Sequence, residues 1–148
     1  MAGSSVFAAY DALVALAGAP AHAGRVERLR AAFGERAGSF SLSDERRTRA
    51  FWDAALTRGG LAAELGPSLP AELRLAARAL ASAHRGLFQL VPDAGAQRVV
   101  FEDLWSGAIF RVGAFDDASA AGSFRHEGGF CDARLVADEG AEVALLPG

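Results

Sequence analysis

The chain has 148 residues, 22% charged and 51% apolar, with a formal net charge of −3. That composition suits one soluble domain or two small units with a real core. All fifteen basic residues are arginine, which excludes lysine nucleophiles, Schiff bases and a phosphate-loop lysine. No apolar run reaches the roughly 18 residues of a membrane-spanning helix, and a single cysteine, Cys131, allows no internal disulfide. Met1 to Tyr10 lacks the basic and apolar regions of a secretory leader.

The first 85 residues are rich in alanine and arginine and show helical spacing. A first helix is expected over Ser4–Ala17, with Val6, Tyr10, Leu13, Val14 and Ala17 on one stripe. Gly18 and Pro20 end it. A second helix is expected over His22–Arg36, burying Val26, Leu29 and Phe33. Ser43 reads as the N-cap of a third helix, with Asp44 and Glu45 in its first turn, where the dipole favours negative charge. That helix carries Phe51, Trp52, Ala55 and Leu56 and stops at Gly59-Gly60. A short helical piece over Leu61–Leu65 follows. Pro70 suits the first turn of a last helix, which buries Leu73, Ala76, Ala77, Leu80 and Ala83 and ends at Arg85-Gly86. His84 then falls in its last turn, facing the negative end of the dipole.

From residue 86 the chain turns to Val, Phe, Gly and Asp in short alternating runs. Strands are expected over Leu87–Val91, Arg98–Leu104, Ala108–Phe115, Phe130–Ala137 and Glu142–Leu146. Turns are expected at Pro92–Gly95, Trp105–Gly107 and Asp138–Gly140, and a long polar connection over Asp116–Gly129. The charge divides at the same place: residues 1–85 carry +3 and residues 86–148 carry −6. Helices first and strands second predict an α+β fold. Its expected form is an N-terminal unit of four to five helices (1–85) packed on a small five-stranded antiparallel barrel or curled sheet (86–148).

The segments Arg85-Gly86-Leu87-Phe88, Phe101-Glu102-Asp103-Leu104-Trp105-Ser106-Gly107, Phe110-Arg111-Val112 and Asp132-Ala133-Arg134-Leu135-Val136 form a recognisable series, closing on Leu145-Leu146-Pro147-Gly148. It resembles the small β-module of uncharacterised bacterial proteins, some of which carry a SEC-C-type metal-binding motif. The resemblance implies architecture only, and the cysteines of that motif are absent from this sequence.

Chemistry-bearing residues gather in Arg125–Asp132. His126 and Cys131, with Asp132 or Glu127 orienting the imidazole, are the residue types of an activated thiol. Cys131 and Asp132 are neighbours in an expected strand, however, so their side chains point to opposite faces. No CxxC, HExxH, GxGxxG or GxSxG pattern occurs, and no metal or cofactor is expected. His126, Glu127, Asp116 and Asp117 read as a solvated loop. Arg46, Arg47 and Arg49 offer a phosphate-binding surface, interleaved with acids. Trp105, a bulky residue in a turn, is a contact site if exposed. The reading is therefore a non-enzymatic interaction or scaffold module of a bacterial cytoplasmic protein, meeting a protein partner or a second copy. Nucleic-acid binding through the arginine helices is the alternative, and a thiol enzyme at His126/Cys131 the third. A membrane partner is not expected.

Overall fold

The computed structural model describes residues 5–91, 99–115, 129–138 and 142–147. They form two compact units that divide between Ser82 and Ala83, with the second unit ending at Leu146. The division lies three residues before the boundary expected from composition.

The helical unit contains α1 (Ser5–Ala17), α2 (Ala23–Ala37), α3 (Glu45–Leu56), α4 (Leu61–Leu65) and α5 (Arg74–Ala81). α1 packs on α4 and α5 through Val6, Ala9, Tyr10, Leu13 and Ala17, a stripe at helical spacing. Val14, expected in that stripe, is only half-buried. Across this core the Tyr10 hydroxyl donates to Asp53 Oδ1 at 2.6 Å, and Asp53 is fully buried. α2 packs on α3, yet none of its residues is fully buried. Val26, Leu29 and Phe33 therefore fall short of the core positions their spacing predicts. Among the described residues no single helix is long and apolar enough to cross a membrane.

Helix boundaries differ from the sequence expectation at α3 and at both ends of α5: Pro70 leads into a separate 3-10 turn over Ala71–Leu73, α5 itself starts at Arg74, and Leu73 and Ala83 are only half-buried. The N-cap of α3 is Asp44 rather than Ser43: its carboxylate accepts from Arg47 N at 3.1 Å. The Ser43 hydroxyl instead meets that of Ser41 at 2.9 Å. The last helix ends at Ala81, and His84 opens a strand. The periodicity that carried that helix to residue 85 is overruled by pairing with a distant strand, since His84 lies in register with Leu135.

The second unit is a closed barrel of β1 (His84–Val91), β2 (Val99–Asp103), β3 (Ile109–Phe115), β4 (Phe130–Ala137) and β5 (Val143–Leu145). Its order is β1-β2-β3-β5-β4, with β4 returning to β1. Four of the five pairings are antiparallel, and β3–β5 is parallel. The barrel is thus mixed rather than antiparallel. Topology requires this, because strand direction cannot alternate all the way around a ring with an odd number of members. Phe88, Leu90, Phe101, Val112, Ala133, Leu135 and Leu145 fill the interior. Phe88 and Phe101 stack there with centroids 5.6 Å apart. The expected turns at Pro92–Gly95 and Asp138–Gly140 lie largely or wholly outside the described residues, as does nearly all of Asp116–Gly129.

Candidate functional site

The β2–β3 connection is a five-residue loop, Leu104–Ala108. Gly107 N donates to Asp103 O at 2.8 Å, and Asp103 N to Ala108 O at 2.9 Å. Gly107 takes φ +70°, the left-handed region that glycine enters without a Cβ penalty. Asp103 ties the loop from inside. Its Oδ1 accepts from Trp105 N at 2.8 Å and from Ser106 N at 2.9 Å, the aspartate's usual way of stabilising a turn. With its backbone held in this way, the Trp105 side chain stands 98% exposed.

The second carboxylate oxygen of Asp103 meets His84 Nε2 at 2.6 Å. The carboxyl group is buried and the imidazole half-exposed. The bond from His84 is the main reason the Asp103 carboxyl titrates at about 2; the Ser106 and Trp105 amides add to it, and burial works against it. The imidazole is stacked on Phe110 and stands edge-on to Phe88, with each centroid 5.8 Å away. Gly86 makes the room. A Cβ there would meet Phe88 Cζ at 2.8 Å, Asp103 Oδ2 at 2.9 Å and His84 Nε2 at 3.2 Å. His84, Gly86 and Phe88 alternate along β1 on the inward side, so the pair lies within the barrel wall.

An imidazole held by an ionised carboxylate through Nε2 leaves Nδ1 as its other proton-exchanging atom. Among the described residues, Nδ1 has no hydrogen-bond partner and no serine or cysteine nucleophile is bonded to the ring. One carboxylate joins the first residue of β1 to the loop that displays Trp105.

Around this loop the outer barrel surface carries a run of exposed apolar side chains between charged ones. Ile109 is in register with Glu102, which makes Leu104 its diagonal neighbour. Leu104 N donates to Leu87 O at 3.0 Å. Leu87 is in register with Asp132, so Phe130 is again diagonal to it. Ile109, Leu104, Leu87 and Phe130 thus form an oblique stripe across β3, β2, β1 and β4, each 45% to 64% exposed. The Arg85–Asp132 ion pair borders it, with Nε to Oδ1 at 2.9 Å.

Other residues singled out by sequence fall elsewhere. Cys131 faces inward, half-buried against the barrel core. Burial pushes its thiol up, and the neighbouring Asp132 charge adds to this, the opposite of what an activated nucleophile needs. Asp132 faces outward and bonds to Arg85, which holds its carboxyl below the usual range. The two point to opposite faces, as the strand period requires. His126, Glu127, Asp116 and Asp117 lie outside the described residues. Among the described residues no group of three potential ligands gathers to hold a metal.

The arginine cluster on α3 is largely engaged within the chain. Arg47 donates to the carbonyls of Ala37, the last residue of α2, and of Gly38 and Ser39 just past it, and stands over the Phe40 ring at 5.9 Å. It thereby satisfies carbonyls that the end of α2 leaves open. Arg30 reaches the Phe40 carbonyl at 3.1 Å and covers the same ring at 5.0 Å. Arg49 pairs with Glu45 one turn away, at 2.7 Å. Arg46 is exposed.

Comparison with protein-family models, curated proteins and solved structures returns no match. The site therefore rests on geometry. Its two organising residues, Asp103 and His84, were not singled out as functional by sequence. For Asp103 a signal was present: an Asp followed four residues later by Gly, between two β-like runs, marks a capped turn. For His84 no local signal existed, because its partner is nineteen residues away.

Proposed function

We propose that this chain is a non-enzymatic protein-interaction module whose contact surface is the Trp105 loop with the Ile109–Leu104–Leu87–Phe130 stripe. The observation that carries this reading is a tryptophan 98% exposed on a loop whose backbone is fixed by a buried aspartate. A fully exposed indole has apolar area still to bury, and a rigid mount keeps the entropy cost of docking low. Aromatic anchors of this kind dominate the energetics of protein interfaces. The surrounding stripe would exclude water from the contact. Intramolecular use of Arg47 and Arg49 supports this reading over a phosphate-binding arginine surface, and the inward, raised-pKa Cys131 supports it over thiol chemistry.

The test is site-specific photo-crosslinking in cells that normally make the protein. A photoreactive amino acid replaces Trp105 in one variant and Leu75 in another; Leu75 is an exposed leucine of the helical unit. A discrete adduct from position 105, lost when Leu87→Glu is added and absent from position 75, supports the module. Its mass identifies a second copy or another protein. No discrete adduct from position 105, or equal adducts from both positions, overturns it.

A further inference from the structure

The helical unit contains a cavity of about 420 Å³, within the volume range of small-molecule sites. Its lining comes from α4, the segment after it, and α5. Ala62, Ala63 and Pro67 form an apolar wall, and Arg74, Arg78 and Ser82 stand across from it. Residues 74, 78 and 82 are spaced by four, which places them on one side of α5 and its C-cap. The cavity is closely built at Gly66, where a Cβ would come within 3.0 Å of Ala77 Cβ.

The charge of this lining is one-sided. Two guanidinium groups and a hydroxyl contribute to it, and no carboxylate does. Arg74 Nε donates to the Leu69 carbonyl at 2.8 Å, which orients the guanidinium and leaves its terminal nitrogens without a partner among the described residues. Arg78 has no carboxylate partner among the described residues. The nearby Glu64 is taken by Arg25, with Nε to Oε2 at 3.3 Å. Elsewhere in this unit Arg25 and Arg49 meet carboxylates, and Arg30 and Arg47 meet backbone carbonyls. Arg74 and Arg78 present donor nitrogens to an open pocket whose floor is the buried Ala62 and Gly66. Paired planar forks fit an oxyanion with several acceptor oxygens.

We infer that this cavity binds a phosphate monoester: Arg74 and Arg78 hold the phosphoryl oxygens, Ser82 contributes a hydroxyl, and the Ala62–Ala63–Pro67 wall receives the carbon group. The site is independent of the Trp105 surface, so either assignment stands if the other fails.

Isothermal titration of the intact chain with phenyl phosphate, inorganic phosphate and benzoate tests it. Saturable binding of phenyl phosphate is expected, several-fold tighter than inorganic phosphate and much tighter than benzoate. Arg78→Gln is expected to weaken phenyl phosphate at least about tenfold, the scale of one lost charge-assisted contact. The thermal midpoint of the free variant should be unchanged. Ala63→Glu, at an exposed wall position, places a carboxylate beside the arginines and should abolish binding, which keeps the test decisive if Arg78→Gln folds poorly. Arg46→Gln, outside the cavity, should leave affinity as it was. Absence of saturable phenyl phosphate binding at millimolar concentration overturns the assignment. So does an equal loss in Arg46→Gln, the signature of diffuse surface charge.

Discussion

Replacing Gly86 by alanine tests how the Trp105 loop is anchored. The new Cβ would lie 2.8 Å from Phe88 Cζ and 2.9 Å from Asp103 Oδ2, whereas ordinary contact begins at 3.4 Å. Each approach is about half an ångström too short, so something must move. Phe88 is fully buried in the barrel core and Asp103 is held by two loop amides, while His84 is half-exposed. Moving His84 relieves neither approach, so Phe88 and the Asp103 Oδ2 must shift, and the bond that this oxygen makes to the exposed His84 is lost while the Oδ1 contacts to the loop amides hold. Overpacking of this kind costs about 1–3 kcal/mol. For a unit the size of the barrel, each kcal/mol lowers the thermal midpoint by about 4–8 °C.

The second consequence is electrostatic. His84 is the largest reason the Asp103 carboxyl titrates at about 2. In Gly86→Ala that carboxyl should rise toward the ordinary aspartate value while staying below it, because the Trp105 and Ser106 amides remain. The sign for stability follows. A carboxyl depressed in the folded state stabilises it above the unfolded-state pKa, near 3.9. That contribution fades as pH falls from about 4 and is gone below about 2. The variant should therefore acid-unfold at higher pH than the parent. Carbon-detected NMR titration of the Asp103 carboxyl, with thermal melts of the same samples, reads both effects. An Asp103 carboxyl still at about 2, together with an unchanged midpoint, would refute the account of the anchor.

Two further outcomes are expected. Tyr10→Phe removes the donor to the fully buried Asp53 and should cost about 1–3 kcal/mol in denaturant unfolding; a loss under about 0.5 kcal/mol would mean the pair is not a core contact. Cys131 should react with iodoacetamide more slowly at neutral pH than a free cysteine in a denatured control, since burial raises its thiol and shields it. Equal rates in native and denatured protein would contradict its inward placement.

The helical half was legible because its signals are local. The α1 stripe, the Gly59-Gly60 stop and the short helix at Leu61 each follow from residues within a turn or two. Where local signals compete, the boundary lies a residue away from the one expected, as with Ser43 and Asp44. Two neighbouring oxygen-bearing side chains can both cap, and only the direction of the chain decides between them. The strands were found for the same reason, from alternation. Their assembly was not, because which strand lies beside which is set by pairings such as His84 with Leu135. That some neighbouring pair must be parallel follows once five strands close in a ring; that it is β3–β5 follows only from the pairing. The candidate site divides along the same line. Trp105 stood out as a bulky turn residue, whereas its support joins Asp103 to a histidine assigned by periodicity to a helix.

The closed ring has a consequence for how anything can attach to this unit. An open sheet ends in strands whose unpaired N–H and C=O groups invite another chain to extend it, both in peptide recognition and in aggregation. Here every strand has a neighbour on each side, and β4 and β1 close the circuit. Along these paired stretches strand addition is closed, and only the parts of β3 and β4 beyond the three-residue β5 lack a described strand on one side. Around the rest of the ring, including β1, β2 and the Trp105 loop, recognition passes through side chains that project from the wall, which makes it a matter of shape and chemistry rather than of backbone templating.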